Sequence, residues 1–216
     1  MSKLGVLPDQ MIRELVEKKE LKIDPFDLRC LAPASYDMRV GDKALKSARE
    51  EGGPVVDLSR EKVMTIGTGE FVEVLTLERL ELPADIAGRF GIRSFYTRKG
   101  LLSFAGPQVD PGFRGYLNIS LFNSGPRPIV LKHGDSFCTI EFSRLEKPSE
   151  KPYEGQYQDQ KDFPSDNIEF ILGAKGVTLY EVVETMKALR GDVKWMKWLL
   201  VAIFGALLAA ILTRLI

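Results

Sequence analysis

From residue 25 onward the chain falls into short runs rich in β-branched and aromatic residues, each closed by Gly, Pro or Asp. This spacing restricts it to few folds. The runs cover residues 35–40, 63–66, 70–77, 115–123, 128–132 and 136–144. Short strands at regular intervals, without helical stretches between them, predict a mainly β architecture closed as a barrel or jelly roll. Ahead of them, apolar Met11, Ile12, Leu15 and Val16 recur at helical spacing and predict a short helix over 8–19. The charged, glycine-rich stretch 44–54 reads as a surface loop. Residues 147–166, rich in Pro, Gln, Asp and Tyr, read as an exposed, mobile arm, and 178–190 read as helical.

The 216 residues suffice for one compact domain and an appendage. Thirty basic and thirty acidic residues cancel, so no long-range field recruits a polyanion and no nucleic-acid partner is expected. Cys30 and Cys138, far apart among apolar neighbours, read as buried reduced thiols. The first ten residues lack the apolar run of a secretory signal, which predicts a cytosolic N-terminus. At the other end, Trp198 to Thr213 is free of charge between Lys197 and Arg214, a helical length of about 24 Å. With Trp195 and Trp198 suited to an interface, it predicts a single C-terminal membrane span over 195–216. A buried core or oligomerisation helix is the alternative. Lys187, Arg190, Lys194 and Lys197 precede the run and only Arg214 follows it, which predicts a cytoplasmic large domain. The expected organisation is a β domain over 1–165, a linker with an amphipathic helix over 166–194, and the span.

Arg93-Ser-Phe-Tyr-Thr-Arg-Lys-Gly100 places Arg93, Ser94 and Arg98 in one loop, and guanidinium forks match phosphate oxygens in geometry and charge. Solvated surface arginines would have the same sequence. In Gln108-Val-Asp-Pro-Gly-Phe-Arg-Gly115, Pro111 and Gly112 specify a type II turn that presents the Asp110 carboxylate, or that Asp110 merely closes. Beyond it, Leu117, Ile119 and Leu121 alternate with Tyr116, Asn118, Ser120 and Phe122, so Ser120 shares a polar and aromatic face. His133 sits in a turn signal and receives no catalytic role. A zinc deaminase needs His-x-Glu and Pro-Cys-x-x-Cys, and neither occurs in the sequence.

With those blocks, Leu31-Ala-Pro-Ala-Ser-Tyr-Asp-Met-Arg-Val-Gly41 and Tyr157-Gln-Asp-Gln160 complete a four-motif pattern that resembles the dCTP deaminase family over residues 5–165. The resemblance implies the dUTPase-like fold, a distorted jelly-roll barrel assembled as a homotrimer with sites between subunits. It implies that Ser94 and Arg98 contact phosphate and the reacting water, and that the backbone at Ala105 and Gly106 reads the pyrimidine. Asp110 matches the turn aspartate that activates water in dUTPases, and Phe113 matches an aromatic packing on deoxyribose. Tyr157 and Gln160 match lid residues. Mg²⁺ would arrive through the triphosphate of dCTP or dUTP.

Ten residues past Asp110, where the family carries its general acid/base glutamate, the chain has Ser120. A hydroxyl cannot hold a proton at neutral pH as a carboxylate does, and losing a general base costs about 10²–10⁴-fold. Three functions therefore follow as expectations. One is a dCTP deaminase that borrows a carboxylate from elsewhere, for which neither Glu70 nor Glu141 can be placed from sequence. The second is a dUTP diphosphatase working through Asp110. The third is a catalytically silent, membrane-tethered nucleotide scaffold or sensor.

Overall fold

A computed structural model describes residues 5–46, 54–104, 106–173 and 179–215. In chain order these form β1 (Gly5–Val6), α1 (Asp9–Glu17), β2 (Lys22–Asp24), β3 (Leu31–Ala32), β4 (Ser35–Lys46), β5 (Val55–Asp57), α2 (Leu58–Glu61), β6 (Val63–Ile66), β7 (Phe71–Glu81), β8 (Ile86–Ile92) and α3 (Ser94–Thr97). There follow β9 (Leu101–Ser103), β10 (Gln108–Val109), β11 (Arg114–Asn123), β12 (Ile129–Lys132), β13 (Ser136–Arg144), α4 (Ser165–Gly173) and α5 (Leu179–Leu215). The first unit covers residues 1–176, the second 177–216.

The first unit is mainly β, built on a curled antiparallel sheet ordered β10-β8-β13-β4-β7-β11-β9, with β1, β2, β3 and β5 paired at its edges. β12 and β6 form a separate ribbon. The jelly-roll expectation, with a short N-terminal helix and a C-terminal helix, holds. Alternation explains the packing: β11 buries Leu117, Ile119 and Leu121 on one face, together with Val72 and Val74 of β7 and Met38 and Val40 of β4. Helix α1 closes this core by inserting Ile12 and Leu15. Gly41 permits a close strand crossing, since a Cβ there would stand 2.5 Å from the Thr76 carbonyl oxygen.

The opposite sheet face is covered differently. Leu45, Leu75 and Phe163 form a second apolar cluster, with Phe71, Tyr116 and Ile168 packed on it. Phe163 comes from the segment expected to be a mobile arm, so that expectation is corrected. Two backbone hydrogen bonds, Asp159 N–H to the Arg114 carbonyl at 2.7 Å and Tyr116 N–H to the Gln160 carbonyl at 3.1 Å, fix it to β11. Paired backbone and buried aromatic surface offset the entropy cost of ordering a polar segment.

Both cysteines are free and buried, as expected, and burial pushes the Cys138 thiol up to about 12. Part of the expected 44–54 loop continues β4 to Lys46, and 47–53 lie outside the described residues. In the second unit α5 runs unbroken through Gly191. Among the described residues no helix is long and apolar enough to cross a membrane. The span expected over 195–216 is thus not supported.

Candidate active site

Phe113 N–H donates to the Asp110 carbonyl at 3.1 Å and Gly112 adopts φ +86°, which makes 110–113 the type II turn that its sequence specifies. A Cβ at Gly112 would also lie 2.6 Å from Pro152 Cβ, so the turn is pressed against the arm. Gln158 holds the two together: its amide donates to the carbonyls of Gly112 and Tyr153 and its oxygen accepts from Arg114 N–H. Behind the turn lies a cavity of about 420 Å³, within the range of small-ligand sites.

Six of the residues expected in the site line this cavity: Gly106, Asp110, Phe113, Ser120, Tyr157 and Gln160. Asp110 accepts a hydrogen bond from Gln108 Nε2 at 2.6 Å. Phe113 is buried, edge-on to the Tyr153 ring with centroids 5.8 Å apart. Tyr157, by contrast, remains 43% exposed at the rim.

Three expected residues are elsewhere. Arg93 caps the start of α3, with its Nε 3.1 Å from Asp37 Oδ2 and its Nη1 donating to the Ser136 carbonyl at 3.2 Å. These contacts are made within the fold, while the side chain stays 41% exposed. Ser94 and Arg98 occupy the exposed ends of α3, outside the cavity, and Arg98 makes no ion pair among the described residues. Exposed beside them, Phe95 lies under the Lys99 ammonium, 3.6 Å from the ring centroid. Ala105 lies outside the described residues. His133 pairs with Asp42, Nε2 to Oδ1 at 2.7 Å, away from the cavity lining.

The structure adds a carboxylate that sequence reasoning missed. Ser120 of β11 is the register partner of Glu73 of β7, so both side chains stand on the same sheet face. Glu73 is 7% exposed. It accepts from Asn118 Nδ2 at 2.7 Å and from Asn167 Nδ2 at 2.9 and 3.2 Å, and Ser120 Oγ stands 3.5 Å from its Oε1. Asn118, Ser120 and Asn167 all line the cavity. The sequence signal was an acid inside the apolar run Phe71-Val-Glu-Val-Leu75, but only register shows what it faces.

Among the described residues no three His, Cys, Asp or Glu side chains converge as a metal-binding group. The cavity offers amides, hydroxyls, aromatic surface and the Asp110 carboxylate, a set suited to a nucleoside.

Residues 6–145 match the family described as dCTP deaminase-like. A dCTP deaminase of Pyrococcus horikoshii is 44% identical over 154 residues, 71% of this chain and 91% of that protein. A dCTP deaminase of Aquifex aeolicus described as dUMP-forming is 35% identical over 166 residues, with 72% and 91% covered. The crystal structure of 2′-deoxycytidine 5′-triphosphate deaminase from Agrobacterium tumefaciens superposes with a TM-score of 0.55 at 27% identity. That match covers 66% of this chain and 49% of the other, so the chain spans about half of that structure's length.

Proposed function

The chain belongs to the dCTP deaminase-like family, and from that membership we propose that it removes the 4-amino group of dCTP by hydrolysis, giving dUTP and ammonia. The observation that carries the reading is the gathering of Gly106, Asp110, Phe113, Ser120, Tyr157 and Gln160 around one cavity. Phe113 packs against the deoxyribose, main-chain groups at Gly106 meet the pyrimidine, and Tyr157 and Gln160 close over the nucleotide and exclude water. Mg²⁺ enters with the triphosphate as part of the substrate, held by phosphate oxygens, because it prefers to keep waters and few protein ligands.

Ser94 and Arg98 act from a neighbouring copy, in a homotrimer whose sites lie at its seams. Their exposure on α3, away from the cavity, supports this arrangement. Arg98 then supplies a bidentate donor to phosphate and Ser94 a hydroxyl beside the reacting water.

A second reading rests on Asp110. A carboxylate in the same cavity suits activation of water at the α-phosphate, and relatives described as dUMP-forming exist at 35% and 32% identity. One assay separates the two. Full-length chain incubated with dCTP and Mg²⁺ is expected to release ammonia with dUTP accumulating. Ammonia together with dUMP and pyrophosphate would show both activities, and dUMP and pyrophosphate from dUTP without ammonia from dCTP would establish the second reading alone. A nucleotide-induced rise in Tm with no product from either dCTP or dUTP would overturn both and leave a silent binder.

A further inference from the structure

Glu73 is a buried carboxylate whose partners are all neutral, and among the described residues no cation pairs with it. Burying a charge this way costs free energy that a neutral residue would avoid, so the position calls for another explanation. Asn118 spends its amide on Glu73, and this leaves its Oδ1 buried and without a hydrogen-bond partner, as is Gln160 Nε2. Both residues line the cavity, as Ser120 does.

We propose that Ser120 and Glu73 act as a two-residue proton relay in place of the single carboxylate that position 120 lacks. The proposal rests on the deaminase reading given above. A hydroxyl has one donor and two acceptor sites, so Ser120 can take a proton from the cavity while its own passes to Glu73. In that exchange the serine never ionises, and its high pKa ceases to be an obstacle. The 3.5 Å separation of Ser120 Oγ and Glu73 Oε1 is long, as catalytic hydrogen bonds often are before substrate binds.

The chemistry balances with one water. As the water oxygen bonds to C4 of cytosine, the C4–N3 π pair moves onto N3. The first water proton travels through Ser120 to Glu73 and returns by the same route to N3. As C4–OH becomes C4=O, the second proton follows the relay to the amine. The C4–N4 bond breaks with its electron pair on nitrogen and ammonia leaves. Glu73 ends ionised and Ser120 protonated, as they began. Asn167, donating to both Glu73 oxygens from α4, is a positioning residue that covers the carboxylate.

Full-length Glu73→Gln keeps the side-chain shape and is expected to lower kcat for ammonia release by about 10²–10⁴-fold while leaving KM for dCTP near that of the wild type. Ser120→Ala should lose a similar factor, and the double variant Ser120→Ala/Glu73→Gln little more, because the two residues form one unit. Ser120→Glu in the Glu73→Gln background, which restores a carboxylate to the cavity wall, should recover activity. A merely structural Glu73 would give no such rescue. Wild-type turnover with undiminished kcat in Glu73→Gln overturns the relay alone. A wild type that releases no ammonia overturns the deaminase reading and the relay with it. Should Glu73→Gln fail to show a cooperative melt, Ser120→Ala decides, since full kcat there removes the relay's first step.

Discussion

Co-expression of two separately inactive variants, Arg98→Ala and Asp110→Asn, is expected to recover about one quarter of wild-type ammonia release per site, the fraction set by random assembly of a cyclic trimer. Each variant alone should fall by at least about 10²-fold, through loss of an oriented phosphate donor in one and of the turn carboxylate in the other. The two groups are separate on the chain. Asp110 lines the cavity, whereas Arg98 sits exposed at the end of α3 with no ion partner among the described residues. If each site takes Arg98 from one copy and Asp110 from the next, a mixed trimer forms sites in which both are intact. Sites built within a single chain would never contain both, and the mixture would stay as inactive as its parents. Recovery of nothing, with trimers shown by mass, would therefore remove the shared-site arrangement.

The same division between local and long-range information explains what the sequence could show. Strands 63–66 and 136–144 coincide with β6 and β13 because alternation and turn residues are properties of adjacent positions. The Asp110 turn was equally legible, since Pro111 and Gly112 dictate its dihedrals whatever surrounds them. Glu73 was not. Its partnership with Ser120 is a matter of register across 47 residues, with an irregularity between Tyr116 and Asn118 that no local pattern encodes. The pairing of Arg93 with Asp37 was hidden for the same reason, since nothing near Arg93 in the sequence announces it. The arm was misread because its composition is polar throughout, although Phe163 alone anchors it in a second apolar cluster. In α5 the apolar run was plain, yet among the described residues no helix is long and apolar enough to cross a membrane.

Glu78→Ala is expected to be the most destabilising single change at a charged residue, by about 3 kcal/mol, near the lower end of the 3–5 kcal/mol range for breaking a buried pair. Glu78 is fully buried on β7, accepting from Arg39 Nε at 2.6 Å and from Arg39 backbone N–H at 2.8 Å. Truncation would leave the Arg39 guanidinium, 15% exposed, with only the Pro25 carbonyl at 2.8 Å and Asp27 at 3.4 Å. Those remaining partners favour the lower figure. For a unit of this size the loss corresponds to a fall in Tm of about 10 °C. Burial raises the Glu78 pKa above its ordinary 4.5, with the Arg39 hydrogen bonds opposing. A raised folded pKa means that its contribution is complete below the unfolded value and is lost as pH rises through the folded one. Glu78→Gln lacks that slope, so its stability deficit relative to wild type should shrink from mildly acidic to mildly basic pH in denaturant titrations. A deficit that grows with pH would contradict the raised pKa, and a Glu78→Ala loss below about 1 kcal/mol would show that the pair does not hold β4 to β7. Thr76 Oγ1, two residues earlier, donates to the Glu78 carbonyl and accepts from Leu117 N–H of β11, so β7 is held to β4 through Glu78 and to β11 through Thr76. Loosening Glu78 therefore also disturbs the register that sets Glu73 opposite Ser120.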